Sequence, residues 1–152
     1  MERAIKGEFT MKRRGYSLVE ILIVVIILAI LAAVVIPKFS DASDEARQAS
    51  LAKDLQTLRT QIEVFKGHHD GVMPGQGGLD IVAQFTGKTD DSGAVVATGK
   101  HGPYLLIFPT NPWTDKATVE SGTGAPGGGD YGWYYNTDTG RIYPDDDAHK
   151  DQ

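Results

Sequence analysis

Hydrophobic and polar positions divide the chain into three stretches. Residues Met1 to Gly15 are polar and basic. Tyr16 to Ile36 then reads YSLVEILIVVIILAILAAVVI, 21 residues with one charge, Glu20. As a helix at about 1.5 Å per residue this run spans roughly 31 Å, close to the ~30 Å hydrocarbon core of a bilayer. Its apolar residues occur on all sides, unlike the single stripe of a soluble amphipathic helix. From Pro37 the pattern changes. Over residues 37–66 the apolar positions Leu51, Leu55, Leu58, Ile62 and Phe65 follow steps of 4, 3, 4 and 3, one face of a helix. Gly67 is a suitable stop, with Lys66, His68 and His69 complementing the negative helix end. A helix continuous through Pro37 would be a rod of roughly 75 Å. Pro37 removes the bond to the Ala33 carbonyl and predicts a kink.

Residues 67–152 form a loop-rich C-terminal part. Gly71 to Gly78 is a turn cluster. Leu79 to Phe85 predicts a short helix with Leu79, Ile81, Val82 and Phe85 inward. Gly102 to Pro109 reads as an extended apolar segment docked on the helix, with Tyr104 to Phe108 covering the apolar stripe. Tyr131–Tyr135 and Arg141–Tyr143 flank Asn136-Thr137-Asp138-Thr139-Gly140, a β-hairpin signature. The Gly-rich stretch 123–130 reads as mobile, and the tail from Asp145 as solvated and frayed.

Composition sharpens this division. The chain has 152 residues, 15 basic and 20 acidic groups, a formal charge of −5 and no cysteine. Five basic and two acidic groups precede Tyr16, a charge of +3; the 10 basic and 18 acidic groups left give −8 to residues 16–152. A short basic leader thus precedes the apolar run, and Lys12, Arg13 and Arg14 predict that this end stays cytoplasmic. Met11 is an alternative start that keeps the basic cluster. Lack of cysteine excludes disulfides and thiol chemistry, and net acidity argues against nucleic acid as a partner.

The apolar run has three readings. A cleavable secretory signal would be shorter, and residues 29–36 lack an A-x-A site. A plain membrane anchor accounts for length and flank but not for Glu20. The third accounts for all of it. Arg13-Arg14-Gly15-Tyr16-Ser17-Leu18-Val19-Glu20, followed by the apolar helix and Pro37, resembles the N-terminal signal of type IV pilins and of the pilin-like subunits of type II secretion systems. The resemblance implies that a membrane-embedded prepilin peptidase cuts between Gly15 and Tyr16 and methylates the Tyr16 amine. The family more often has Phe at that position. It also implies that Glu20 aligns subunits during filament assembly.

The implied fold is α+β: a long N-terminal helix, membrane half plus amphipathic half, against a small antiparallel sheet. Gly102-Pro103-Tyr104-Leu105 with Ile107-Phe108-Pro109-Thr110-Asn111-Pro112, followed by the Gly132-Trp133-Tyr134-Tyr135 hairpin, looks like the secretion type, most like its major pseudopilins. Such subunits often bind calcium in an acidic C-terminal loop. Asp130, Asp138, Asp145, Asp146 and Asp147 are the oxygen donors available, yet they match neither the family's calcium loop nor an EF-hand. The expectation is therefore no cofactor, with calcium the one to test.

Enzymatic motifs are thin. Gly93 to Lys100 has five residues between its glycines and no Ser/Thr after the Lys, so it is not a P-loop. His68-His69-Asp70 reads as a solvated helix end. The expectation is a non-enzymatic structural subunit, anchored once in the inner membrane with its C-terminal part periplasmic. Its partners would be itself, other pilin-like subunits, the prepilin peptidase, the inner-membrane assembly platform and the membrane. The resulting pseudopilus would serve type II secretion. Two other readings stay open: a type IV pilus pilin for adhesion, motility or DNA uptake, and a single-pass anchored periplasmic binding module.

Overall fold

The computed structural model describes residues 15–152, and for residues 34–41 the helical backbone without the side chains. Lys12, Arg13 and Arg14 lie outside the described residues, as does the Pro37 side chain on which the kink depends. Helix α1 runs from Leu18 to His68, 51 residues. The chain divides into two units, Met1–Ala42 and Ser43–Gln152. Among the described residues no helix is long and apolar enough to cross a membrane. The part of the apolar run whose side chains are described, Tyr16 to Ala33, stops short of its last three residues.

In the second unit, α1 contributes its apolar stripe. Leu51, Leu55, Leu58, Ile62 and Phe65 are all buried. Helix α2, Ile81–Thr86, starts where the Asp80 carboxylate accepts the Ala83 N–H at 3.1 Å, a side-chain N-cap. It brings Ile81 and Phe85 to the stripe. Leu79, expected inward, is exposed. The Phe65 and Phe85 rings stack with centroids 5.7 Å apart.

The sheet has the order β1-β2-β3, with β1 Val119–Gly122, β2 Trp133–Asn136 and β3 Arg141–Pro144. β2 and β3 pair antiparallel, Tyr135 opposite Ile142. The expected hairpin is thus present, closed by Asn136, whose Oδ1 accepts the Asp138 and Thr139 N–H groups at 3.1 and 2.9 Å. Gly140, at φ 67°, completes the turn in a conformation most side chains resist. Its N–H donates to the Asn136 carbonyl at 2.9 Å.

The expected antiparallel sheet needs correction: β1 pairs with β2 in parallel, Val119 opposite Trp133. A hairpin turn can join only antiparallel neighbours, and here residues 123–132 carry the chain back to the start of β2. Val119-Glu120-Ser121-Gly122 is half exposed and lacks the alternation that marks a strand.

β2 and β3 send Trp133, Tyr135 and Ile142 into the core beside the stripe. The Trp133 indole N–H donates to the Pro109 carbonyl at 2.9 Å. The extended segment is only partly docked. Phe108 is buried and Tyr104 and Leu105 pack against the core, but Leu106 and Ile107 are 93% and 82% exposed. The backbone N–H groups of Tyr104 and Leu105 both donate to the Phe85 carbonyl at 2.9 Å. Those two bonds hold the start of the segment, and the next two side chains lie outside.

Two measurements test this core. Leu58→Ala should lower the unfolding free energy of the full chain by about 2–5 kcal/mol, as for other buried leucines; a denaturation midpoint unchanged from wild type would contradict the packing. Burial, with a smaller contribution from the Glu63 charge, pushes the Tyr135 phenol up to about 12. The unfolded chain, near 10, therefore releases this proton first. The stabilisation is complete below pH 10 and is lost as pH rises towards 12. Tyr135→Phe lacks this titration, so its stability relative to wild type should be constant below pH 10 and rise above it. A difference that stays flat throughout would contradict the assignment.

Candidate functional site

Gly15, Tyr16 and Ser17 lie outside helical structure, and α1 begins at Leu18. The Ser17 carbonyl accepts the Ile21 N–H at 3.2 Å, closing the first turn. Glu20 lies in that turn, where a carboxylate complements the positive end of the helix. Gly15 and Tyr16 are exposed, and nothing lies within 4 Å of where a Gly15 Cβ would stand. Glu20 is also exposed, and among the described residues it takes part in no ion pair. The structure therefore brings Gly15, Tyr16 and Glu20 together at one helix start. Around and beyond them Leu18, Val19, Ile21 and the apolar residues to Leu31 are all exposed. This is an apolar cylinder with one acid near its tip.

The candidate calcium donors do not converge. Asp145 is fully buried, its Oδ1 accepting the Gly127 and Gly128 N–H groups at 2.9 and 3.1 Å and its Oδ2 accepting that of Tyr131 at 3.1 Å. Asp146 Oδ1 accepts the His149 N–H at 2.9 Å and lies against the His149 ring. Asp147 pairs with Lys150 at 3.1 Å. Asp130 and Asp138 are exposed. Residues 145–146 are thus an anchored segment rather than a frayed tail, and the loop read as mobile is tied to it.

The histidine pair divides. His69 is buried, its Nδ1 2.7 Å from the Phe65 carbonyl and its Nε2 3.0 Å from the Thr89 hydroxyl. A ring that donates from Nδ1 and accepts at Nε2 satisfies both, so this residue ties α1 to the 89 loop and is not solvated. His68 remains exposed, and its ring stacks on that of His101 at 5.2 Å. The hydrogen bonds from Lys100 and then from His101 hold the Asp91 carboxyl below the usual carboxylate range.

Sequence reasoning missed two other buried polar groups. Gln84 accepts the Gly75 N–H and donates to the Gly93 carbonyl, both at 2.8 Å. Asn111 donates to the Gly132 carbonyl and accepts the Trp113 N–H, also both at 2.8 Å. Asn111 followed by Pro112 is an ordinary turn signal; the distant partner at Gly132 has no signature in sequence.

A family model described as "Prokaryotic N-terminal methylation motif" matches residues 10–36. The chain is 32% identical over 107 residues to the type II secretion system core protein G of Pseudomonas aeruginosa, covering 68% of this chain and 72% of that protein. It belongs to the family of type II secretion system core protein G, the major pseudopilins. The Escherichia coli protein of that name is 31% identical over 115 residues, 74% of this chain and 76% of its own length. A shorter match links the pseudopilin to the type IV narrow pilus major component PilA5 of Thermus thermophilus, 36% identical over 50 residues, 33% of this chain and 43% of that protein. No solved structure gives a significant match. The pseudopilin's long N-terminal helix and small sheet are a pilin-like α+β arrangement, and its relatives are structural subunits rather than enzymes.

Proposed function

We propose that this pseudopilin is inserted in the inner membrane with Lys12, Arg13 and Arg14 inside, cut between Gly15 and Tyr16 by a prepilin peptidase, methylated on the new Tyr16 amine, and built with copies of itself and other pilin-like subunits into a type II secretion pseudopilus. The observation that carries this reading is the helix start. An exposed, non-helical Gly15–Tyr16 bond precedes a helix whose first turn holds the single acid of an apolar cylinder. Cleavage there creates an amine with a reference pKa of about 7.7–8.0, and methylation keeps its charge.

A carboxylate in hydrocarbon costs about 2.5–3.5 kcal/mol on insertion scales. The Tyr16 amine of the same or a neighbouring subunit relieves that cost. In low dielectric a subunit out of register leaves two charges unpaired, which makes the pair selective for position. The apolar cylinder then packs helix to helix, with Ala29, Ala32 and Ala33 allowing close approach. Growth of such a filament from the membrane platform would push exported protein outward.

Intact-mass measurement on protein from a host with prepilin peptidase tests the first step. The expected species begins at Tyr16 and carries one added methyl group; a terminus elsewhere would sink the processing assignment. Glu20→Ala should be inserted and cleaved like wild type yet yield no filaments by electron microscopy, and normal filaments from it would remove the alignment role. The match to a pilus component favours a second reading, a subunit of a type IV pilus. Restoring secretion, rather than pilus-dependent motility, to a strain lacking its own major subunit would decide between them.

A further inference from the structure

The resemblance to major pseudopilins implies a calcium ion in the acidic C-terminal loop, and the residues present do not fit one. Calcium requires six to eight oxygens at 2.3–2.6 Å with lone pairs free to face it. The buried Asp145 carboxylate instead receives three backbone N–H groups, from Gly127, Gly128 and Tyr131. Those dipoles point their positive ends at it and complement a bare anion. Among the described residues no group of three or more His, Asp or Glu is placed to hold a metal ion.

A cation is nevertheless present at this loop, and it is covalent. The Lys116 ammonium donates to the Gly129 carbonyl at 3.0 Å and to the Asp130 carbonyl at 2.7 Å. These are two successive loop carbonyls aimed at one positive charge, beside the segment that Asp145 holds. An ion within coordinating distance of both carbonyls would overlap the ammonium and be repelled by it. The Lys116 backbone is itself fixed. Its carbonyl accepts the Asn111 N–H at 2.9 Å, and it passes so close to Gly132 that a Cβ there would meet it at 2.0 Å.

We propose that in this pseudopilin the Lys116 ammonium takes the structural place of the metal, closing loop 123–131 from one side while the Asp145 carboxylate closes it from the other, so that the C-terminal fold is independent of calcium. The proposal goes beyond the filament reading and holds whether or not the chain is processed at Gly15.

The test uses the full chain in detergent, with Tm followed by circular dichroism. Wild type should melt at the same temperature in chelator and in millimolar calcium chloride, and calorimetric titration with calcium should give no binding heat. Lys116→Met, which keeps the stem and loses the charge, should lower Tm by roughly 4–8 °C and speed proteolysis within 123–131. Lys116→Arg, which keeps a cation, should recover most of that Tm. A wild-type Tm that rises with calcium, a calcium binding heat, or a methionine variant that melts and resists protease like wild type would each overturn it. Should the methionine variant fail to fold, the arginine variant and the wild-type calcium measurements decide, and an arginine variant that also fails to fold counts against the ammonium's role.

Discussion

The second unit depends on the contact between one helix face and one aromatic hairpin. Leu51, Leu55, Leu58, Ile62 and Phe65 have no value to the chain in water, and Trp133, Tyr135 and Ile142 cover them with side chains large enough to exclude it. The helix alone would be a polar segment with a narrow stripe, and the hairpin alone would be marginal. Each becomes stable by hiding the other. Polar closures then secure the loops around that contact: His69 to Thr89, Gln84 to two loop backbones, Asn111 to Gly132.

The first unit obeys the opposite rule. Its apolar side chains are exposed in the isolated chain, in quantity no soluble subunit would carry without a covering surface. Hydrocarbon or the helices of neighbouring subunits can supply that cover. Under the proposed assembly the second environment would add a neighbouring subunit's amine as a partner for the carboxylate at position 20. Family membership and the geometry at the helix start thus bear on one question, what the apolar cylinder packs against. Leu106 and Ile107 pose the same question for the second unit on a smaller scale.

Much of this was legible in the sequence because periodicity and turn chemistry are local. The 4-3-4-3 spacing gave the buried stripe, and Asn136 to Gly140 gave the hairpin. Glu20 stood out because a charge inside an apolar run is conspicuous. What escaped was set by distant partners. Asp145 looked like the start of a solvated acidic tail until Gly127, Gly128 and Tyr131 met it. His69 looked like a helix end until Thr89 reached it. β1 went unseen because a half-exposed parallel strand has neither alternation nor a neighbouring turn to mark it. Leu106 and Ile107 were expected inside on hydrophobicity alone, and they lie outside, just past the backbone bonds to Phe85.

Gln84 sets an unusual rule for mutation. Its amide accepts from Gly75 on one side and donates to Gly93 on the other. Glutamate has the same shape but only accepts, so it would face the Gly93 carbonyl with an oxygen. Lysine would only donate and would strand the Gly75 N–H. The position tolerates chemistry of both signs at once or neither, and the genetic code offers few single steps that preserve it. Drift at this site should therefore be slow, although Gln84 is no part of the Gly15–Tyr16–Glu20 signature.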